Sequence, residues 1–402
     1  MEVREVMVYQ RRIPSTQRIG EENMADIKTH LRELSVATTV GLLNMEIEFK
    51  RSDLYDAKRF LAYAQKIITG DISSASNLAS ETTFTGELRQ IVDNGYQLGK
   101  AIYEDEHFDI PKDAVITWQG NDTQKEDPVD ITIGEYGFSL KEESFILVNM
   151  GLYKLLNCYT GSNYKKRHIF SDYARAEYEA WFAATWKELI STLENNNNVW
   201  RYDDTSKHKS GVITLNGSTV TLEFFTNCKL KASSTLPKNC TLSKFERKTS
   251  SKTREQVFSK YINLNLDNNA NYNATKKACA VAATIALARE LRTNLNYQAG
   301  LPRFLRIHDH VYYYAKTTAA GVDILRVPDI ASFGNDIVIE SIESSVPDKQ
   351  ANILTTIKNK KTGQTLVLRN ECRFSHGQFN GTPEAKMYYE HGGSLEVIYE
   401  QV

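Results

Sequence analysis

The sequence predicts a mixed α+β protein, with helices flanking a core sheet and a β-rich C-terminal region. Three observations carry this. Apolar residues recur at helical spacing over most of residues 1–105. Two short alternating strands then meet at a glycine-flanked turn between Asp127 and Lys141. From Phe304 onward, short β-branched runs alternate with turn residues.

In chain order, a first helix is predicted from Glu22 through Phe49, with Leu31, Leu34, Val36, Val40, Leu43 and Ile47 as its apolar positions. A second starts at a Ser52-Asp53 cap and carries Leu54, Ala57, Leu61, Ala64 and Ile68. The polar stretch Asp71 to Thr83 reads as a loop. A third helix follows from Thr85 to Tyr103, where Leu88, Ile91, Val92, Leu98 and Ile102 make the buried stripe and Glu87 falls at its edge. The first two helices read as scaffolding or a dimer interface.

The hairpin is where chemistry concentrates. Side chains alternate faces along a strand, so Val129, Ile131 and Ile133 share one face and Asp130 and Thr132 the other. On the second strand Phe138 and Leu140 oppose Ser139 and Lys141. A turn centred between Glu135 and Tyr136 would set Asp130 across from Lys141 and Thr132 across from Ser139, with Cβ atoms roughly 4.5–5.5 Å apart. A carboxylate, a hydroxyl and an ammonium then converge on one face. That combination suits metal-assisted phosphodiester hydrolysis: the carboxylate offers an oxygen to Mg²⁺, and the lysine serves the attacking water and the phosphate charge. The same residues also read as an ordinary cross-strand ion pair, with Glu87 a favourable first-turn acid.

The pattern resembles the PD-(D/E)xK nuclease family, which includes most type II restriction endonucleases. Asp127-Pro128-Val129-Asp130 is similar to the family's P-D region, with Val129 interposed, and Ser139-Leu140-Lys141 to its (D/E)xK. Ser139 departs from the pattern, standing where the family usually has Asp or Glu. Glu142 or Glu143 could stand in for it, although alternation puts Glu142 on the wrong face. The family often places a further acid on a helix preceding the hairpin, and Glu87 is the candidate here. The resemblance covers roughly residues 80–160. It implies a restriction-endonuclease-like core, with Asp130 and Glu87 holding Mg²⁺ and Asp130, Glu87, Ser139 and Lys141 forming the catalytic set.

Beyond the hairpin, Glu142 to Cys158 is predicted to be a helix with Phe145, Val148, Leu152, Leu155 and Leu156 inward. Lys165, Lys166 and Arg167 follow beside Tyr159 and Tyr164, a mixture that can hold a phosphate backbone or form a solvated loop. Ser171 is read as the cap of a long helix whose Tyr178, Trp181, Phe182, Trp186, Leu189 and Ile190 are core, ending at Asn195–Asn198. That asparagine run divides the chain into a helical scaffold plus catalytic core, 1–198, and a recognition region, 199–402.

The second part opens with a predicted hairpin around Asn216-Gly217. Phe225 to Arg254 then holds eight Lys or Arg against the single acid Glu246. Read as a flexible arm, it could bind DNA phosphates through Lys244, Arg247 and Lys248, or have no partner. Helices are predicted over Lys252–Tyr261 and Ala274–Asn296, the latter with Ala278, Val281, Ala282, Ile285 and Ala288 in one stripe. Strands are predicted near 304–314, 322–326, 337–342, 353–358 and 365–368. His308 and His310 would share a strand face, more in keeping with polar packing or a phosphate contact than with a metal site. Arg369 to Gly381 is dense in base-reading side chains, so Arg373, His376, Gln378 and Asn380 are candidate contacts to bases or phosphates, though such residues also make ordinary turns.

Composition sets the remaining bounds. At 402 residues the chain can bury more than one core, and its 25% charged and 41% hydrophobic content is ordinary for a globular protein. A formal net charge of −1 requires any DNA-binding surface to be local. Met1 to Arg12 has no apolar signal core, and no apolar run is long enough to span a bilayer, so no membrane association is expected. Five widely spaced cysteines fit reduced thiols in a cytoplasm. The absence of a Walker-type phosphate loop disfavours an ATP-driven translocase.

The expectation is a Mg²⁺-dependent, site-specific endonuclease of double-stranded DNA, working as a homodimer because palindromic targets match two-fold symmetry. The alternatives are an inactive DNA-binding protein on the same scaffold and a structure-directed DNA nuclease.

Overall fold

The computed structural model describes residues 16–70, 72–119, 128–141, 146–151, 156–157, 168–294, 299–318, 321–374, 377–380, 384–389 and 393–402. The predicted α+β class holds, in three sheets. Three helices lead: α1 (Thr16–Asn44), α2 (Ala57–Ile67) and α3 (Gly86–Glu104). Asp56, rather than the expected Ser52-Asp53, caps α2 by accepting the Arg59 N–H at 2.9 Å, and Arg51–Tyr55 forms a 3₁₀ turn before it. Part of the expected loop is also a 3₁₀ helix, Ser73–Ser80.

Helices α1 and α3 run parallel and unusually close, with residue 28 beside 87, 35 beside 95 and 39 beside 99. Glycines permit this. A Cβ on Gly95 would stand 2.4 Å from Ser35 Cβ, and one on Gly99 would stand 2.9 Å from Thr39 Cβ. The pair packs on the first sheet and closes a core with Leu31, Leu34, Val40, Ile91, Leu98 and Ile131 inside.

The strands number β1 (Ile68–Thr69), β2 (Ile116–Trp118), β3 (Ile131–Ile133), β4 (Tyr136–Lys141), β5 (Ile146–Gly151), β6 (Val199–Asp204), β7 (Lys209–Asn216), β8 (Thr219–Thr226), β9 (Lys229–Pro237), β10 (Tyr312–Thr318), β11 (Gly321–Val327), β12 (Ile337–Ser345), β13 (Ala351–Asn359), β14 (Thr365–Arg373), β15 (Glu384–Tyr389) and β16 (Glu400–Gln401). The first sheet has the order β1-β2-β3-β4-β10-β11-β16, with β1–β2 and β4–β10 parallel and the other pairs antiparallel. The other two are antiparallel: β12-β13-β14-β15-β5 and the meander β6-β7-β8-β9. Helices Arg175–Asn195 and Ala270–Thr293 share an aromatic core with them, centred on Trp181, Phe182, Phe245, Phe258 and Phe379.

Strand pairing does not follow the expected division at 198/199. β10 and β11 from the second part complete the first sheet beside β4, while β5 from the first part pairs with β15. The asparagine run is a turn into β6, with Asn197 and Asn198 in the left-handed region (φ 51° and 62°).

Other expectations are corrected by what lies next to each segment. The helix expected over 142–158 is replaced at 146–151 by β5, whose ladder to β15 supplies hydrogen bonds that outweigh the local helical spacing. The basic stretch is not a flexible arm. It forms β9 and the helix Leu242–Lys248, and Lys229 and Lys231 lie exposed on β9, an edge strand where charge discourages further pairing. The long helix expected from Ser171 begins at Arg175, after a short helix Ile169–Tyr173 capped by His168, whose Nδ1 accepts the Ser171 N–H at 3.1 Å. Helix Ala270–Thr293 buries Cys279, Ala280, Ala283, Leu287 and Leu291; of the predicted stripe Ala288 is buried and Ala282 packs on the core, while Ala278, Val281 and Ile285 are exposed. The expected strand at 304–314 begins only at Tyr312, because Leu301–Phe304 is a helical turn and His308 to His310 a bend. No described helix is long and apolar enough to cross a membrane.

Candidate active site

The hairpin brings Asp130 and Lys141 together through a register two residues from the expected one. Ile131 faces Phe138, Thr132 faces Gly137 and Ile133 faces Tyr136, which centres the turn between Gly134 and Glu135. Gly134 takes φ +58°, a conformation that favours glycine. Because side chains repeat every two residues, a shift of two leaves the strand residues on their predicted faces. Thr132 consequently lies across from Gly137 rather than Ser139, and its hydroxyl bonds that of Thr117.

Asp130 and Lys141 meet because Asp130 occupies the bend before β3. Its N–H donates to the Phe138 carbonyl at 2.8 Å, and its Oδ2 accepts the Leu140 N–H at 2.7 Å. The carboxylate thus continues the ladder where the β3 backbone has turned away. Lys141 Nζ stands 3.4 Å from the same oxygen, with both side chains about one-quarter exposed. Oδ1 makes no contact among the described residues. Val129 departs from the alternation and joins the core of the other sheets. Gly137 admits it, since a Cβ there would stand 2.9 Å from Val129 Cγ2.

The acid that sequence reasoning missed is Glu33 on α1. Its Oε2 accepts Trp118 Nε1–H at 2.6 Å, and Trp118 pairs with Ile131 next to Asp130. One turn earlier, His30 packs edge-on against the Trp118 ring, centroids 5.2 Å apart. Glu33 is only 7% exposed. Burial raises its carboxyl from 4.5 to about 8, with the Asp130 charge as the second cause, while Trp118, Lys141 and Arg32 act in the opposite direction. Asp130, Glu33 and Lys141 therefore share one electrostatic neighbourhood. There was little local signal for it, because in Leu31-Arg32-Glu33-Leu34 the acid stands beside Arg32 and reads as part of a solvated face.

The other predicted residues lie elsewhere or play other parts. Glu87, with a 65% exposed side chain, pairs with Lys28 at 2.6 Å in the first turn of α3 and makes no contact with Asp130 or Lys141. Ser139 is 3% exposed, in register with Tyr314 of β10, and its hydroxyl makes no hydrogen bond to Asp130 or Lys141. Lys165, Lys166, Arg167 and His376 lie outside the described residues, as do Asp127, Glu142 and Glu143. Lys244, Arg247 and Lys248 project into solvent from helix Leu242–Lys248, anchored below by buried Leu242 and Phe245. Arg373 ends β14, and Gln378 and Asn380 lie in the turn beyond it. The His308 and His310 rings are 5.9 Å apart, and no group of three or more His, Cys, Asp or Glu able to hold a metal exists among the described residues.

The donor set nevertheless fits one hard cation. Mg²⁺ takes oxygen ligands, keeps several waters and needs only one or two carboxylates beside a substrate phosphate. Asp130 offers a free oxygen, and Glu33 holds a carboxyl whose ionisation is opposed by burial and by Asp130, a cost that a cation would relieve.

Comparisons with protein-family models, curated proteins and solved structures return no match.

Proposed function

We propose that this protein is a Mg²⁺-dependent endonuclease of double-stranded DNA, and that it cuts at specific sites as a homodimer. The observation that supports this best is the Asp130–Lys141 pair, one-quarter exposed, with the buried carboxyl of Glu33 within its electrostatic influence. Asp130 and Glu33 would hold the ion, which when bound supplies Lewis acidity toward the scissile phosphate.

The chain's own groups do the rest. Lys141, fixed by Asp130, presents an ammonium that orients the attacking water and offsets charge developing on the phosphate. The Leu140 N–H and Lys141 both bind Oδ2, so Oδ1 would be the oxygen offered to the ion. Without the ion, burial favours the protonated form of Glu33 near neutral pH, so holding the ion would release a proton from it. Exposed Lys244, Arg247 and Lys248 supply a local basic surface on a chain of formal net charge −1, and Arg373, Gln378 and Asn380 supply base-reading chemistry.

The test is digestion of long unmodified DNA with Mg²⁺ or EDTA, using wild type, Lys141→Ala, Asp130→Asn and Glu33→Gln. Discrete fragments are expected with Mg²⁺, lost in EDTA and reduced at least 100-fold in each variant. Smearing would favour a structure-directed or nonspecific nuclease. Salt-sensitive binding without cleavage would leave a DNA-binding protein on a nuclease-like scaffold. Cleavage unchanged by Lys141→Ala would place the chemistry elsewhere.

A further inference from the structure

A second cleft lies away from the hairpin, between the Arg175–Asn195 and Ala270–Thr293 helices and the end of β14. Its volume is about 240 Å³. Strand β15 lies between the two regions: Tyr389 at one end accepts from Lys316, which is in register with Lys141, and Glu384 at the other end is in register with Arg373 of the cleft.

Its walls carry three kinds of chemistry. Phe374 is partly exposed, and Phe170 stacks against it, centroids 5.4 Å apart at 28°. Gln350 and Gln378 bring amides to the lining, and Lys276, Lys349 and Arg373 bring positive charge. Two of these cations have loose acidic partners, Lys349 3.9 Å from Asp267 Oδ1 and 3.4 Å from its carbonyl, and Arg373 3.9 Å from Glu371. Lys276 makes no ion pair among the described residues, and its Nζ rests 5.8 Å from the Trp181 and Tyr272 ring centroids. Burial and the neighbouring Lys349 lower its pKa, outweighing the opposite influence of Asp267 and Asp348. Glu371, the carboxylate in the lining, is already engaged by Gln350 at 2.8 Å and Arg369 at 3.2 Å, with Arg373 3.9 Å away.

Two buried polar atoms beside the cleft, Arg373 Nε and Gln378 Oε1, have no hydrogen-bond partner among the described residues. An unmatched buried donor or acceptor is costly, and a ligand that supplies the partner relieves that cost. The backbone that places Gln378 is held in position. Gly377 takes φ +91° where a Cβ would collide with Ser259 Oγ, and that hydroxyl bonds the Gln378 carbonyl at 3.3 Å. Phe379 then anchors the turn against Trp181, centroids 4.6 Å apart.

We infer that this cleft binds a single nucleotide unit, its base lying along the Phe374 face with its edge read by Gln378 and Gln350, and its phosphate held by Lys276, Lys349 and Arg373. A planar, hydrogen-bonding and anionic ligand satisfies all three wall types at once, which an apolar ligand or a simple anion does not. The unit could be a free nucleotide or a nucleotide rotated out of DNA. As a site for a free nucleotide it is independent of the cleavage reading; as a site for an extruded one it rests on that reading.

The experiment titrates the full chain, its Lys276→Met and Gln378→Ala variants and Lys141→Ala with the four deoxynucleoside monophosphates, the matching nucleosides and inorganic phosphate by calorimetry. In parallel, 2-aminopurine fluorescence is followed in a duplex. Saturable binding of a monophosphate, at least tenfold tighter than its nucleoside and than phosphate, is expected. Lys276→Met should weaken it tenfold or more, the scale of a lost charge-assisted contact, and Lys141→Ala should leave it unchanged. A fluorescence rise in the duplex that Lys276→Met abolishes would assign the extruded source; monophosphate binding without it would assign the free one. Gln378→Ala should change preference among the four bases, a readout that simple unfolding would not give. The proposal is overturned if neither probe engages, or if both variants, folded by thermal melting, bind like wild type. Loss of DNA cleavage in Lys141→Ala with this binding retained would separate the two sites.

Discussion

Replacing Glu33 by glutamine should make the protein's stability less dependent on pH, in a direction set by the raised carboxyl. In the unfolded chain this carboxyl titrates near its ordinary 4.5; in the folded protein it titrates at about 8. Between those values the folded state holds a proton that the unfolded state has released, so stability falls as pH rises. The Glu33 contribution is fully favourable below about 4.5 and is lost progressively up to about 8. At about 1.4 kcal/mol per pH unit, the full span amounts to about 5 kcal/mol. Over the accessible window from pH 5 to pH 7, wild type should lose about 2.5 kcal/mol relative to Glu33→Gln. The glutamine keeps an oxygen to accept the Trp118 N–H, so the comparison isolates the charge. Urea unfolding of both proteins at pH 5, 6 and 7, in magnesium-free buffer, reads the difference. Parallel stability curves would refute the reasoning, because they would mean that Glu33 ionises as easily in the fold as in water. Adding Asp130→Asn should reduce the wild-type slope, since the Asp130 charge is the second cause of the shift.

Two further outcomes follow from packing and from surface charge. Gly95→Ala places a methyl 2.4 Å from Ser35 Cβ and should cost about 1–3 kcal/mol despite alanine's better helix propensity, read as a lower melting temperature; an unchanged melt would mean that α1 and α3 can part without penalty. Replacing Lys244, Arg247 and Lys248 together by alanine should leave the melt nearly unchanged, because all three are exposed. If they contact phosphates, the same variant should flatten the slope of log affinity against log salt by about 2.7 in DNA-binding titrations, and an unaltered slope would remove this helix from the interface.

Helix α3 was legible almost to the residue, and so were strands β11 to β14 of the tail, because periodicity follows from the side chain's own need for burial; β10 was placed too early, and β15 and β16 were missed. The faces of Asp130, Thr132 and Lys141 were legible for the same reason, since alternation is a property of the extended backbone. What the sequence could not determine was which neighbour each segment acquires. β5 looked helical until β15 lay beside it, and the basic stretch looked loose until β8 gave β9 a partner. The second carboxylate illustrates the difference best. Glu87 and Glu33 both stand on helices before the hairpin, and local pattern favours Glu87 at the edge of a clean stripe. Only the parallel α1–α3 packing, permitted by Gly95 and Gly99, and the pairing of Trp118 beside Ile131 decide that Glu33 is the acid sharing the field of Asp130 and Lys141. Periodicity is encoded within a few residues of each position, whereas the company a carboxylate keeps depends on contacts between segments about a hundred residues apart in the chain.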